Sequence, residues 1–323
     1  KEKNEKSNYL VESNIYIIKE SEETKNNYKK VNYISKEKNN NVKIINDIKE
    51  RGDVALNEQI AKFDKWEVNG NLAITNGEMK AAYDNLDDKL RNALKLAYER
   101  IKAYHEKQVE KSWIDFEPSG AILGQKVTPV DRAGLYIPGG KAAYPSSLIM
   151  NAVPAIVAGV KEIVVCTPAV GGEVNSLLLA AMHLLGIKTA YKVGGASAVA
   201  AMAYGTQTIK KVDVITGPGN IFVATAKKMV YGDVNIDMIA GPSEIGVIAD
   251  ESANPTHIAI DLLSQAEHDE IASSFLITFS AEFANKVNDE IQRLLPNLKR
   301  YEIAKASIDN KAAIIVACDI DEC

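Results

Sequence analysis

Apolar positions change their spacing several times along the chain, and the changes mark out its segments. Over roughly the first 41 residues Lys, Asn, Glu and Ser dominate, with short apolar interruptions such as Ile15-Tyr16-Ile17-Ile18. That composition predicts an extended or loosely attached arm, either swapped between subunits or disordered. From Val42 the spacing turns helical, with Val42, Ile44, Ile45 and Ile48 in phase and Gly52 as a stop. A second helical stretch is expected from about Asn76 to Lys111, broken near Asn85-Leu86-Asp87.

After Gly120 short apolar runs alternate with helical ones. Strands are expected at Leu135–Ile137, Ile163–Cys166, Ile187–Val193 and Val212–Thr216. Helices fall between them at Ser146–Ala158 and Val174–Leu185, with Gly186 as a cap. A further set follows Gly241-Pro242: strands at Ile245–Ala249, Phe275–Phe279 and Ala312–Ala317, helices near 255–268 and 281–294. Strand–helix alternation predicts an α/β fold, with parallel sheets flanked by helices. The pattern groups 42–128 with 241–323 as one discontinuous domain and inserts 129–240 as a second.

Composition narrows the choice of partners. Among 323 residues, 38 basic against 43 acidic side chains give a net charge of −5, which argues against a nucleic-acid partner. No apolar run approaches the ~20 residues of a membrane-crossing helix, and Lys1-Glu2-Lys3-Asn4 is no secretory signal. A soluble cytoplasmic protein is expected. Both ends read as cuts: the chain begins at Lys1, and Asp319-Ile320-Asp321-Glu322 resembles the first turn of a helix without a body. The three cysteines, Cys166, Cys318 and Cys323, have no metal-ribbon spacing. Cys166 ends an apolar run and reads as a buried, inert thiol.

Two glycine turns follow expected strands. Pro138-Gly139-Gly140-Lys141 and Gly217-Pro218-Gly219-Asn220 sit where open α/β sheets bind ligands. Lys141 could face an anion there, and a helix start after Asn220 could hold a phosphate or carboxylate. Either turn is also explained by local backbone need alone. The dinucleotide fingerprint G-x-G-x-x-G is absent from the sequence. On the helix after Asn254-Pro255, the apolar side carries Ile258, Leu262, Leu263 and Ala266, and Asp261, Gln265 and His268 fall opposite. Gln265 and His268 could share a metal ion or could simply face solvent. His105, His183 and His257 read as structural.

Five segments together are far more specific than any one of them. Gly134–Gly140 (GLYIPGG), Ala143–Ser147 (AYPSS), Gly217–Asn220 (GPGN), Asp237–Glu244 (DMIAGPSE) and Leu263–Asp269 (LSQAEHD) resemble the histidinol dehydrogenase family in order and spacing. The resemblance runs from about residue 42 to the last residue. It implies two incomplete Rossmann-like domains similar to aldehyde dehydrogenases, which dispense with the glycine fingerprint. It implies oxidation of L-histidinol to L-histidine through a bound aldehyde, two NAD reduced, a Zn2+ ion, and a homodimer with a shared active site. Gln265 and His268 match zinc ligands and, with Ser243, substrate contacts; Tyr136 and Asn220 match NAD contacts. Ser197 stands where the family usually has Gln. The family's catalytic Glu-His pair and its remaining Asp and His zinc ligands would lie beyond Cys323. The alternative reading is an inert truncated paralogue that dimerises or binds nucleotide.

Overall fold

The computed structural model describes residues 16–18, 32–69, 71–139, 144–239 and 241–323. The chain divides into a larger unit, Val31–Ala240, and a smaller one joining Lys1–Lys30 to Gly241–Cys323. Strand β1 (Tyr16–Ile18) belongs to the smaller unit. The larger opens with four helices, α1 (Asn32–Arg51), α2 (Asp53–Phe63), α3 (Asn76–Asp84) and α4 (Asp88–His105). A hairpin follows, β2 (Trp113–Phe116) and β3 (Ile122–Gln125). Then strands and helices alternate: β4 (Arg132–Tyr136), α5 (Pro145–Ala158), β5 (Glu162–Thr167), α6 (Ser176–Leu184) and β6 (Thr189–Lys192). The unit ends with α7 (Gly195–Tyr204), β7 (Val214–Thr216), α8 (Ile221–Val230) and β8 (Asn235–Ile236). In the smaller unit come β9 (Glu244–Ile248), α9 (Pro255–Ala266), β10 (Ser273–Thr278), α10 (Ala281–Leu294), α11 (Tyr301–Lys311) and β11 (Ala312–Val316).

The larger unit is built on a five-stranded sheet in the order β6-β5-β4-β7-β8, every pair parallel. Both faces are covered, as parallel sheets require. Because side chains alternate along a strand, Leu135, Ile137 and Val165 enter the core shared with Met79, Leu94, Leu148 and Met182. Tyr136, Val164 and Cys166 point the other way, into the core formed with Ile48, Leu56, Ile60, Met202 and Val223. Each of these larger aliphatic side chains contributes about 1.5–3 kcal/mol by leaving water. The smaller unit repeats the plan with a parallel four-stranded sheet, β1-β11-β10-β9.

The α/β class and the parallel sheets agree with the sequence pattern, and several boundaries differ. The pattern joins 42–128 to 241–323, yet Ile45, Ile48, Leu56 and Ile60 supply one core of the five-stranded sheet, so α1 and α2 belong with 129–240. Within the expected arm, Tyr16–Ile18 pairs with β11 as a strand and helix α1 already starts at Asn32; residues 1–15 and 19–31 lie outside the described residues. The break near Asn85–Asp87 is real: Asn85 closes α3 as its C-cap, and the Asp87 carboxylate accepts the Leu90 N–H at the start of α4. Helix α4 stops at His105 rather than Lys111. Helices α2, α7 and α11, the β2–β3 hairpin and β8 are additional. All eight residues of the hairpin strands are exposed, including Trp113, Ile114, Phe116, Ile122 and Leu123.

Candidate functional site

The carboxyl ends of the larger unit's strands carry a cavity of about 950 Å³, within the range of small-ligand sites. Its walls come from α1 (Asn41, Lys43, Asp47, Glu50), the end of α2 (Gln59, Lys62, Asp64), Pro168, the start of α7 (Gly194–Ser197), and Asn220 with Phe222. Two helices therefore begin at one cavity, each with its positive dipole end there; α7 has no side-chain cap, whereas Asn220 already takes two of the α8 amides.

Each helix start is fixed by identifiable groups. On α7 no side chain caps the helix, and Gly195 has φ +64°, a left-handed conformation that glycine adopts without strain. The Tyr136 hydroxyl accepts the Gly195 N–H at 3.3 Å. Tyr136 is itself buried, which pushes its phenol up to about 12. It stands behind the wall and braces it. On α8, the Asn220 side-chain oxygen accepts the Phe222 and Val223 N–H groups at 3.1 and 3.2 Å, leaving its NH2 group as a donor.

The turn before Asn220 is held from three sides. Gly217 has φ +120°, and a Cβ there would lie 2.0 Å from the Tyr136 carbonyl oxygen, so only glycine fits. Its N–H donates to Asp237 Oδ2 at 2.9 Å, and its carbonyl accepts from Lys227 Nζ at 3.0 Å. Buried Lys227 pairs in turn with Asp237. This clamp went unread in the sequence, because an ion pair ten residues apart on a helix and a following strand leaves no local signature.

Asp64 was also missed. It forms the C-cap of α2, is 8% exposed, and lines the cavity. Burial pushes its carboxyl up to about 6. The one available sequence signal was an acidic residue closing an amphipathic helix, which usually means nothing. Cys166 is fully buried and its thiol is pushed up by that burial, consistent with an inert group. Ser197 is buried on the cavity wall. The expectation for Lys141 falls on 140–143, outside the described residues.

In the smaller unit, Ser243, Gln265 and His268 all come to the amino-terminal edge of the four-stranded sheet. Ser243 directly precedes β9, and its carbonyl accepts the Ser273 N–H at the start of β10 at 3.1 Å. Gln265 sits in the last turn of α9, half-buried. His268 lies just past the helix, because α9 ends at Ala266 and not at 268. The turn is fixed by His268 N–H donating to the Gln265 carbonyl at 3.1 Å and by Arg300 Nη1 donating to the His268 carbonyl at 3.1 Å. Asp261 lies further back on the helix, exposed.

The two sets of residues fit their implied ligands unequally. The cavity, with two helix starts and convergent polar groups, suits a dinucleotide. Gln265 and His268 supply two donors, and among the described residues no group of three or more His, Cys, Asp or Glu could hold a metal ion. A structural or catalytic zinc takes at least three protein ligands, so these residues alone do not complete a site.

Comparison with known proteins gives a consistent result. A family model described as histidinol dehydrogenase matches residues 28–323. The histidinol dehydrogenase of Sulfurimonas denitrificans is 65% identical over 281 residues, covering 86% of this chain. That of Wolinella succinogenes is 63% identical over the same length and share. The chain spans about 65% of the length of each of these relatives. The crystal structure of histidinol dehydrogenase from Elizabethkingia anophelis matches with a TM-score of 0.86 at 35% identity, over 96% of this chain and 72% of that one.

Proposed function

The chain belongs to the histidinol dehydrogenase family, and on that premise we propose that it serves the oxidation of L-histidinol to L-histidine with NAD as acceptor, at the end of histidine biosynthesis. One observation supports the reading most directly. Of the two positions that match family NAD contacts, Asn220 lines a cavity large enough for a nucleotide and Tyr136 stands directly behind the α7 start on its wall.

NAD, when bound, supplies the hydride acceptor for each of two successive oxidations at one carbon. The chain's own residues do the binding and orienting. The starts of α7 and α8 face the anionic part of the ligand, Asn220 donates from its NH2 group, and Tyr136 keeps the α7 start in place through Gly195. Ser197, shorter than glutamine, makes less contact with the cofactor. In the smaller unit, Ser243 contacts histidinol, and Gln265 and His268 contact histidinol and are two of the ligands of a Zn2+ ion. Two donors do not complete that ion's shell, so no step is assigned to it.

The β2–β3 hairpin, apolar and exposed on both strands, supports a homodimer, since a surface of this kind is costly to leave in water. We place the protein in the cytoplasm without nucleic-acid or membrane partners; the net charge of −5 disfavours a phosphate backbone as partner.

The test is an assay of the protein with L-histidinol, NAD and zinc. Two NADH per histidine formed is the expected result. A protein that binds NAD yet forms no histidinol-dependent NADH would instead be an inert nucleotide-binding module.

A further inference from the structure

The cavity lined by the starts of α7 and α8 also carries a set of unusual acceptors from α1 and α2. Asp64 is nine-tenths buried, and among the described residues neither a cation nor a hydrogen-bond donor pairs with its carboxylate. Asn41 is fully buried; its NH2 donates to the Phe222 carbonyl at 2.8 Å, while its Oδ1 has no partner. Gln59 Oε1 has none either. All three residues line the same cavity. The other acids there differ: Asp47 is held by Arg51 at 2.6 and 2.7 Å, and Glu50 is exposed on α1.

The buried Asn41 and Gln59 oxygens lack donors, which is costly unless a ligand satisfies them, and the Asp64 carboxylate, still touched by solvent, lines the same cavity without a cation. A lone cation would satisfy Asp64 but not the α7 and α8 starts, which favour negative groups. A ligand that carries both anionic phosphates and neutral hydroxyl donors suits both sets of groups.

We propose that Asp64 accepts hydrogen bonds from the free 2′- and 3′-hydroxyls of the adenosine ribose, with Asn41 beside it, and that its charge excludes a 2′-phosphorylated dinucleotide. The inference rests on the assignment of this cavity to NAD. Asp64 is thereby a specificity-determining residue that discriminates by repulsion as well as attraction. A 2′-phosphate would bring further negative charge against a carboxylate in a poorly solvated site, where like charges are weakly screened. It would also replace a donor with acceptors beside the Asp64, Asn41 and Gln59 oxygens, although Lys43 and Lys62 stand on the same lining.

The experiment is a titration of the full chain and of Asp64→Asn with NAD, NADP and the 2′-deoxyadenosine analogue of NAD, read as Kd. Unmodified protein is expected to bind NAD at least about tenfold tighter than either other ligand, the size of one charge-assisted hydrogen bond. In Asp64→Asn, which keeps the shape, NAD affinity falls and the NAD-to-NADP preference shrinks about tenfold, while resistance to urea does not fall. A merely structural role for Asp64 would leave that preference unchanged. Equal affinity of the unmodified protein for NAD and its 2′-deoxy analogue, or an unchanged NAD-to-NADP ratio in Asp64→Asn, overturns the inference with the cavity assignment intact. Failure to bind any dinucleotide overturns the cavity assignment and this inference with it. The analogue comparison needs no variant, so it decides the matter even if Asp64→Asn does not fold.

Discussion

The two parallel sheets of this protein treat their functional residues differently. The five-stranded sheet gathers its polar groups at the carboxyl ends of its strands, where crossover turns open into helices and a cavity forms between α7, α8 and the end of α2. The four-stranded sheet instead brings Ser243, Gln265 and His268 to the amino ends of its strands, on a turn past α9. The first arrangement is braced by the Tyr136, Asn220, Lys227 and Asp237 side chains and is close to a finished site. The second supplies two donors on a turn held by a backbone hydrogen bond and by the Arg300 side chain. A nucleotide can be recognised by amides and dipoles that the fold creates anyway, whereas a metal needs a full set of side chains from several places.

That contrast predicts a gradient of mutational effects. Gly217→Val should be the most damaging, because its Cβ would meet the Tyr136 carbonyl at 2.0 Å. A loss of about 3 kcal/mol or more in urea unfolding is expected, along with loss of NAD binding. Lys227→Met comes next. It leaves the partly buried Asp237 carboxylate unpaired and frees the turn before Asn220, with an expected loss of about 2 kcal/mol and weaker NAD binding.

Asp64→Asn should act in the opposite sense on stability. The carboxyl is raised from 3.8 to about 6 by burial, so the folded state prefers its protonated form. The cost of the charge is therefore absent below pH 3.8, grows between there and about 6, and is fully present above. Relative to the unmodified protein, Asp64→Asn should gain about 1 kcal/mol above pH 6 after allowing for partial solvation, and nothing at pH 3.5. A gain that did not vary with pH would refute this origin. The smallest stability effect belongs to His268→Ala, within about 0.5 kcal/mol, since the exposed side chain packs little. Its effect on histidinol turnover should nonetheless exceed a hundredfold. A large stability loss there would make His268 a structural residue and erase the contrast between the two sheets.

Legibility in the sequence followed the range of the interactions involved. Strands β4 and β5 were readable because burial on both faces gives continuous apolar runs such as Ile163–Cys166. The break before α4 was readable because caps are local, as with Asp87 and Leu90. The placement of α1 and α2 was not, since amphipathic helices declare a buried stripe but not the sheet that buries it; Ile48 and Ile60 fit either assignment until the fold chooses. Asn220 and Gly217 stood out as a motif, whereas Asp64, Asn41 and Lys227 matter through contacts with residues distant in sequence, such as Asn41 with Phe222. Helix α9 misled slightly. Its periodicity continues to His268, but the chain turns after Ala266, so the imidazole belongs to a turn and not to a helix face.

The central claim is that the cavity at the carboxyl edge of the five-stranded sheet holds NAD, and amide hydrogen exchange with and without NAD tests it most directly. The account predicts slowed exchange in 194–197 at the start of α7 and in 217–223 through the turn and the first residues of α8. Saturating NAD that leaves both stretches unprotected, while protecting amides elsewhere, would contradict it.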